Sequence, residues 1–326
     1  TASVSLDESK GSISGDIVYN GHITKWKKLI NSFYLRLLIS LSRKTGNPAL
    51  NVAERFQEII SNPDQYPVMT DNSDNAVLTF YDVTGNRYPY FNSNSLKTAY
   101  YLDESFVNLL KERDDPRLFV FADPEPQGVG LPASDPDAYG GLGGSASLAE
   151  NITRLSAGEG SPIDSRFHSH ATNEPSVLLG YAEVEFTLAE AAARGWIAGA
   201  PAPHYEKGIR ASMEFYGVPV AVQNQYLSHP EVAYLPASGI EQIITQKYIN
   251  FFMNGGWEVF YNHLRTGFPV FEVSGEGMLN NGLVPKRWMY PSDELLLNAN
   301  NVAAAISRQY PGGDNINGEM WLLKNE

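Results

Sequence analysis

SVLLGYAEVEFTLAEAAARGWIAGAPAPHYEKGIRAS, residues 176–212, carries apolar side chains on nearly every side of the stretch from Ser176 to Arg194, with alanines gathered toward its end. A helix of that composition has no face to give to water, so it must lie buried among close neighbours. The spacing predicts one helix over 176–194 and a second from His204 to Tyr216, joined by a short turn bearing Trp196 and Gly199.

The same reading extends outward. From Thr24 to Arg43, residues Trp26, Leu29, Ile30, Phe33, Leu37 and Leu41 recur at three- and four-residue steps, with Lys25, Lys28 and Arg36 off that stripe. Gly46 and Pro48 end this helix, and a second over 48–60 gathers Val52, Phe56, Ile59 and Ile60 on one side, which predicts an antiparallel helical hairpin over 19–61. Downstream, 239–253 places Ile240, Ile243, Ile244, Tyr248, Phe251 and Phe252 on one stripe, and Trp257, Phe260, Tyr261 and Leu264 recur on a partner helix over 257–264. The aromatic run 251–271 is therefore read as a packed hairpin around Gly255 and Gly256, with Arg265 satisfying a carboxylate or helix-end carbonyls. A last helix is expected over 291–307, with Pro291 in its first turn. Helix pairs with short turns, and the Trp, Gly and Tyr rhythm of residues 195–212, point to a mainly α fold of tetratricopeptide-like helix pairs, although no strict repeat of about 34 residues is present.

Between the helical regions the periodicity breaks. Residues 62–174 form a loop-rich insertion, with short β-like runs AVLTFYDVTG and NRYPYF that suggest a small hairpin and hence minor β content. One short helix over 103–113 leads into a stretch rich in Pro, Gly, Asp and Ser, and loops of such length are usually functional or disordered. The helical region resumes over 175–326, and the whole of 1–326 is read as one domain.

Composition narrows the function classes. Hydrophobic residues make up 43% and aromatics 12% of the 326 residues, a folded composition. A net charge of −13 would repel a phosphate backbone, which argues against a nucleic-acid partner. With no cysteine there is no disulfide, thiolate metal site or cysteine nucleophile. No apolar run reaches the ~20 residues that span a bilayer. The opening TASVSLDESKGSISG, with neither Met nor a signal core, reads as a processed or truncated chain.

Several constellations have residue types that could carry chemistry. His168 and His170, with Glu174 nearby, have a spacing that can share a metal on an extended strand, against the plainer reading of a hydrogen-bonded or surface pair. Asp71, Ser73, Asn75 and Asp82 alternate like calcium-loop ligands, but Ala76 stands where the turn glycine belongs, so a polar turn is the plainer reading. GLGGSA at 141–146 lacks the preceding strand that a dinucleotide loop needs. Glu183 and Glu190 share a helix face and could act as an acid–base pair, whereas ion pairing is the usual fate of such residues. No nucleophile elbow, P-loop or zinc-protease signature is present. The remaining candidates are loop aromatics able to stack on sugar rings: Tyr81, Tyr88, Tyr90, Phe91 and Tyr139, with Tyr100 and Tyr101 beside them.

Several segments together resemble one family, the SusD/RagB-like outer-membrane nutrient-binding lipoproteins. They are YNGHITKWKKLINSFYLRLLISLS (Tyr19–Ser42), DDPRL (Asp114–Leu118), the run from Tyr181 to Val218, Gln246 with Lys247, and NGGWEVFYNHLRTGFPVF. The closing VPKRWMYPSDELLLNANNVAAA fits too, with Pro285, Arg287, Tyr290, Pro291, Glu294, Asn298 and Asn301 in place. The resemblance implies a single SusD-like domain of four tetratricopeptide-like helix pairs against a loop-rich ligand region. It further implies a non-catalytic protein on the surface of a Bacteroidetes-type outer membrane that captures oligosaccharides, or sometimes peptides, for a SusC-like TonB-dependent transporter. The family's signal peptide, lipid-bearing cysteine and first helices do not match anything in this chain, so membrane anchoring through a lipid is implied by resemblance alone. The matched motifs belong to the scaffold, and the family's ligand contacts lie in variable loops, so the site expectation rests on the loop aromatics. No cofactor is expected, with calcium the one candidate ion. The competing readings are a hydrolase using His168 and His170 or Glu183 and Glu190, and a helical scaffold that binds only protein or peptide.

Overall fold

The computed structural model describes residues 2–172 and 174–325. Its longer helices are α1 (Ile23–Ser40), α2 (Val52–Ser61), α3 (Glu104–Lys111), α4 (Leu148–Ser156), α5 (Tyr181–Ala193), α6 (Pro201–Phe215), α7 (Val220–Leu227), α8 (Gly239–Asn250), α9 (Glu258–Thr266), α10 (Ser292–Leu297) and α11 (Ala299–Gln309). Strands β1 (Ala76–Leu78) and β2 (Ser176–Leu179) form one antiparallel pair, with Ala76 opposite Leu179 and Leu78 opposite Ser176. The fold is mainly α with a minor β component, as the periodicity and the resemblance imply.

Helix α5 is the axis. Every residue from Ala182 to Ala192 is buried, because two hydrophobic clusters meet on it. Val184, Leu188 and Ala191 join the core built by α1 and α2, while Ala182, Phe186 and Ala189 join the core of α6 and α8. Small residues let α6 approach closely. A Cβ on Gly208 would lie 2.6 Å from the Phe186 ring, so the ring takes the place of a side chain there. The carboxylates on this buried helix are all spoken for. Glu183 accepts from Arg36 Nε of α1 at 2.6 Å, Glu185 bonds His204 Nδ1 of α6 at 2.6 Å, and Glu190 accepts from Arg265 Nη2 of α9 at 2.8 Å and Arg194 Nε at 2.8 Å. Arg265 thus takes the carboxylate role expected of it, and the acid–base reading of Glu183 and Glu190 gives way to ion pairs that tie α5 to its neighbours. Lys247 of α8 is buried beside them and donates to Thr187 Oγ1 at 3.2 Å; burial pushes its ammonium down, an effect that Glu183 and Glu190 oppose.

A second polar knot explains the DDPRL segment. Arg117 is fully buried, forks onto Asp115 at 2.9 and 2.6 Å, and donates to Ser212 Oγ of α6 at 2.9 Å, Gln246 Oε1 of α8 at 2.8 Å and the Tyr226 hydroxyl of α7 at 3.3 Å. One guanidinium therefore fastens the 114–118 turn to three helices. The YNG segment has an equally local cause: Asn20 and Gly21 sit at φ of 53° and 86°, and a Cβ on Gly21 would meet the Ile13 carbonyl at 2.8 Å.

Several expectations are corrected. The apolar run SVLL, assigned to a helix, is β2, and α5 begins only after Gly180, since short apolar runs do not distinguish a strand from a helix. The small hairpin expected within 62–101 is absent among the described residues; β1 pairs with β2 across the loop region instead. On α1 the buried face is Asn31, Ser32, Leu35, Leu38 and Ile39, while Phe33 and Leu37 are 44% and 47% exposed. The apolar stripe missed this because two polar residues hold the core face: Asn31 Nδ2 donates to the Pro67 carbonyl at 2.8 Å, and Ser32 Oγ accepts from Met69 N–H at 3.0 Å. Trp257 is 61% exposed, so α9 does not bury its aromatics against α8; Trp257, Phe260 and Tyr261 gather around Trp288 with ring centroids 4.9 to 6.0 Å away. The last helix divides at Asn298 into α10 and α11, and α4 and α7 were not anticipated.

Two stability predictions follow from these contacts. Arg117→Ala leaves Asp115 buried and unpaired, and is expected to cost about 3–5 kcal/mol in chemical denaturation, against roughly 1 kcal/mol or less for Trp257→Ala. The Glu190 carboxyl is held down at about 2 from an ordinary 4.5: burial would raise it, and Arg265, Arg194 and Lys247 outweigh that. Its contribution is complete above 4.5 and is lost as pH falls through about 2. Urea midpoints should therefore drop across that window, and Glu190→Gln should lower the neutral-pH midpoint while flattening the drop.

Candidate functional site

Helix α8 stops at Asn250, and the chain turns through Phe251–Gly256 before α9. Three residues of this turn are left-handed, with φ of 57° at Met253, 73° at Gly255 and 53° at Gly256. Gly255 is also sterically required, because a Cβ there would lie 2.5 Å from the Phe251 ring. Asn254 Oδ1 accepts from Val177 N–H at 3.1 Å, which pins the turn to β2. Across from it stands the 88–92 segment, whose own main chain is tied to the 168–171 loop: Tyr88 N–H donates to the Ala171 carbonyl at 2.7 Å and Asn92 N–H to the His168 carbonyl at 2.9 Å. Between turn and segment lies an open cleft of about 560 Å³, lined by Tyr88, Pro89, Tyr90, Glu174, Pro175, Met253, Asn254, Gly255 and Gly256, among others. That is within the usual size range of small-ligand sites, about 300–1,000 Å³.

The walls differ in character. Tyr90 is 45% exposed and its ring meets Tyr88 edge-on at 5.7 Å; Tyr88 in turn is buried against Phe80 at 5.4 Å. One aromatic ring thus faces the cleft while a second holds it in place. Burial, with Tyr90 and Glu174 nearby, raises the Tyr88 hydroxyl to about 12, so it stays a proton donor at any physiological pH. Glu174 is buried and bound by Arg166 Nε, so its charge is neutralised in place. The cleft therefore offers an aromatic edge, amide and hydroxyl groups, and no uncompensated charge of either sign among its lining residues. Such a surface offers an apolar ring face together with polar edges.

The sequence candidates disperse. Tyr88 and Tyr90 line the cleft. Tyr81 is 62% exposed on a separate turn, with its N–H on the Asn86 carbonyl, and Phe91 is half-buried beneath the Arg87 guanidinium at 5.5 Å. Tyr139 is corrected outright: it belongs to the core, its ring on Phe119 at 5.5 Å and its hydroxyl donating to the Ala133 carbonyl at 2.7 Å, so no face is left for a ligand. The Gly-rich loop beside it is packing material, with Gly141 placed so that a Cβ would meet the Glu104 backbone at 2.4 Å. His168 is buried and His170 exposed, and Glu174 is taken by Arg166, which leaves the histidine pair without its third ligand. In the calcium-like run, Asp71 caps Ser73 N–H at 2.8 Å, Asn75 Oδ1 accepts from Tyr181 N–H at 2.7 Å, and Asp82 pairs with Arg87 at 2.7 Å. Among the described residues no three His, Cys, Asp or Glu side chains come together to hold a metal ion. Of the cleft's other residues, the sequence reading names Glu174 only beside the two histidines and Gly255–Gly256 only as the turn of a packed hairpin, and it does not name Asn254.

The chain belongs to the SusD-like family: the family profile described as "Starch-binding associating with outer membrane" matches residues 1–291. Among solved structures, a candidate outer-membrane nutrient-binding protein of Bacteroides vulgatus is 37% identical, with a TM-score of 0.92 over 99% of this chain and 72% of its own. A SusD homologue of Bacteroides fragilis is 40% identical, with a TM-score of 0.88 over 98% of this chain and 72% of its own. A chitin-binding protein is 27% identical, with a TM-score of 0.79 over 99% of this chain and 70% of its own. Comparison with curated proteins gives no match. The family is described by starch binding in association with the outer membrane, and these relatives by nutrient binding and chitin binding.

The dispersal of the tyrosines is itself testable. Tyr139→Ala should destabilise the fold by about 3–5 kcal/mol, as core aromatic truncations do, whereas Tyr81→Ala should stay within about 0.5 kcal/mol of wild type in thermal unfolding.

Proposed function

We propose that this protein is a non-catalytic cell-surface receptor that holds an oligosaccharide in the Tyr90 cleft and delivers it to a SusC-like TonB-dependent transporter. The observation that carries the reading is the half-exposed Tyr90 ring, braced by buried Tyr88 and facing Asn254 and the Gly255–Gly256 floor across a charge-compensated cleft. A pyranose presents an apolar face to such a ring and hydroxyl edges to amides and main chain. The family description and the chitin-binding relative support a carbohydrate as the ligand. Attachment to the outer membrane through a lipid on polypeptide outside these residues belongs to the same reading, which requires no cofactor and leaves calcium without a role.

Isothermal titration and affinity electrophoresis over a panel of chitin-, starch- and xylan-derived oligosaccharides, with short peptides as the competing class, test it. Tyr90→Ala should weaken binding of the preferred glycan by roughly tenfold or more, the equivalent of about 1.4 kcal/mol, with the melting temperature little changed. Binding of peptides alone would replace the ligand class, and failure of a SusC-like transporter from the same genome to copurify would remove the partner.

A further inference from the structure

A second depression adjoins the Phe251–Gly256 turn. It is an open groove of about 290 Å³, and its walls include Tyr101, Phe106, Ile163, Tyr248 and Phe252. Phe251 and Met253 line both this groove and the Tyr90 cleft. The two depressions therefore adjoin at Phe251 and Met253.

From this we infer that the two depressions form one continuous track, and that its ligand is a linear, uncharged oligosaccharide long enough to cross Met253 from Tyr90 to Tyr101. The inference rests on the glycan reading of the Tyr90 cleft and adds the length and charge class of the ligand. Both ends of the track carry a tyrosine that is not sealed in the core, Tyr90 at 45% exposure and Tyr101 half-buried, so each end can hold a ring. The surface between them is mainly aromatic and thioether, from Phe251, Phe252 and Met253, over which a repeating chain of rings can lie.

Electrostatics restrict the class further. The charged groups along the track are Glu174, held by Arg166, and Asp103, whose carboxylate accepts from Ser105 N–H at 2.9 Å and Gly144 N–H at 2.9 Å. Among the described residues that line the two depressions none is a Lys, Arg or His, so a sulfate or uronate finds no cation there. With the whole chain at −13, a polyanionic glycan meets repulsion and gains nothing in return.

The test is a length series on the whole chain: chito- and malto-oligosaccharides from one to six units, with sulfated and uronic-acid oligosaccharides of matched length, measured by isothermal titration. The better neutral series should gain roughly tenfold or more in affinity between dimer and hexamer and then level off, and the anionic series should bind at least about tenfold more weakly. Tyr101→Ala should cut hexamer affinity by roughly tenfold while leaving the dimer within about twofold, and the unchanged dimer doubles as the control for folding. Tyr90→Ala should weaken both lengths. Equal affinity for dimer and hexamer, indifference of the hexamer to Tyr101→Ala, or preference for the anionic series would each overturn the inference while the single-cleft reading stands. If no oligosaccharide of any length binds, the glycan reading falls and the track with it.

Discussion

A single buried guanidinium conditions the rest of this fold. Arg117 has no access to solvent, and burial alone would disfavour its charge; Asp115 more than offsets that and holds the group up, with Tyr226 contributing. The remaining donors go to Ser212, Gln246 and Tyr226, on three different helices. Because an unpaired buried charge costs several kcal/mol, these partners cannot drift independently. The position of α8 is therefore fixed against α6 and α7, and the end of α8 fixes where the left-handed Phe251–Gly256 turn emerges. The cleft and the groove both draw lining residues from that turn, so their geometry is inherited from a charge that lines neither.

The α5 carboxylates obey the same economy of charge. Glu183, Glu185 and Glu190 are buried on a helix packed all round, and each meets a cationic or imidazole partner from another element. Their role is to orient helices in a core where apolar contact alone would leave rotation about the helix axis poorly specified. That is why residues resembling an acid–base pair in sequence carry no chemistry. It is also why the family resemblance rests on scaffold motifs: DDPRL, the Gln246–Lys247 pair and Arg265 are the visible ends of these networks.

What could be read from the sequence divides along the range of the interaction that decides it. Helices α3, α6 and α8 were legible within a few residues, because their caps and periodicity are local: Asp103 caps Ser105 and Phe106, and Pro201 opens α6. The α1 face was misjudged because Asn31 and Ser32 are buried by hydrogen bonds to residues 67 and 69, which no hydropathy stripe registers. SVLL became a strand only because β1, about a hundred positions earlier in the chain, lies beside it. The cleft was least legible of all, since it is assembled from residues near 88, 174 and 254. Tyr88 and Tyr90 were within reach as aromatics on a loop, but nothing in their local sequence separates them from Tyr139, whose burial is decided by Phe119 and the turn at Ala133.

The main-chain bonds from Tyr88 to Ala171 and from Asn92 to His168 have a consequence for how a ligand is received. Loops that must order on binding charge their conformational entropy against affinity, at about 1–2 kcal/mol for each residue fixed. Here the wall bearing Tyr90 is laced to its neighbour before any ligand arrives, so that entropy is settled at folding and not at capture. A preorganised wall of this kind favours rapid encounter and places the differences between ligands in their residence times. Such a wall need not rearrange either to take up a ligand or to release it.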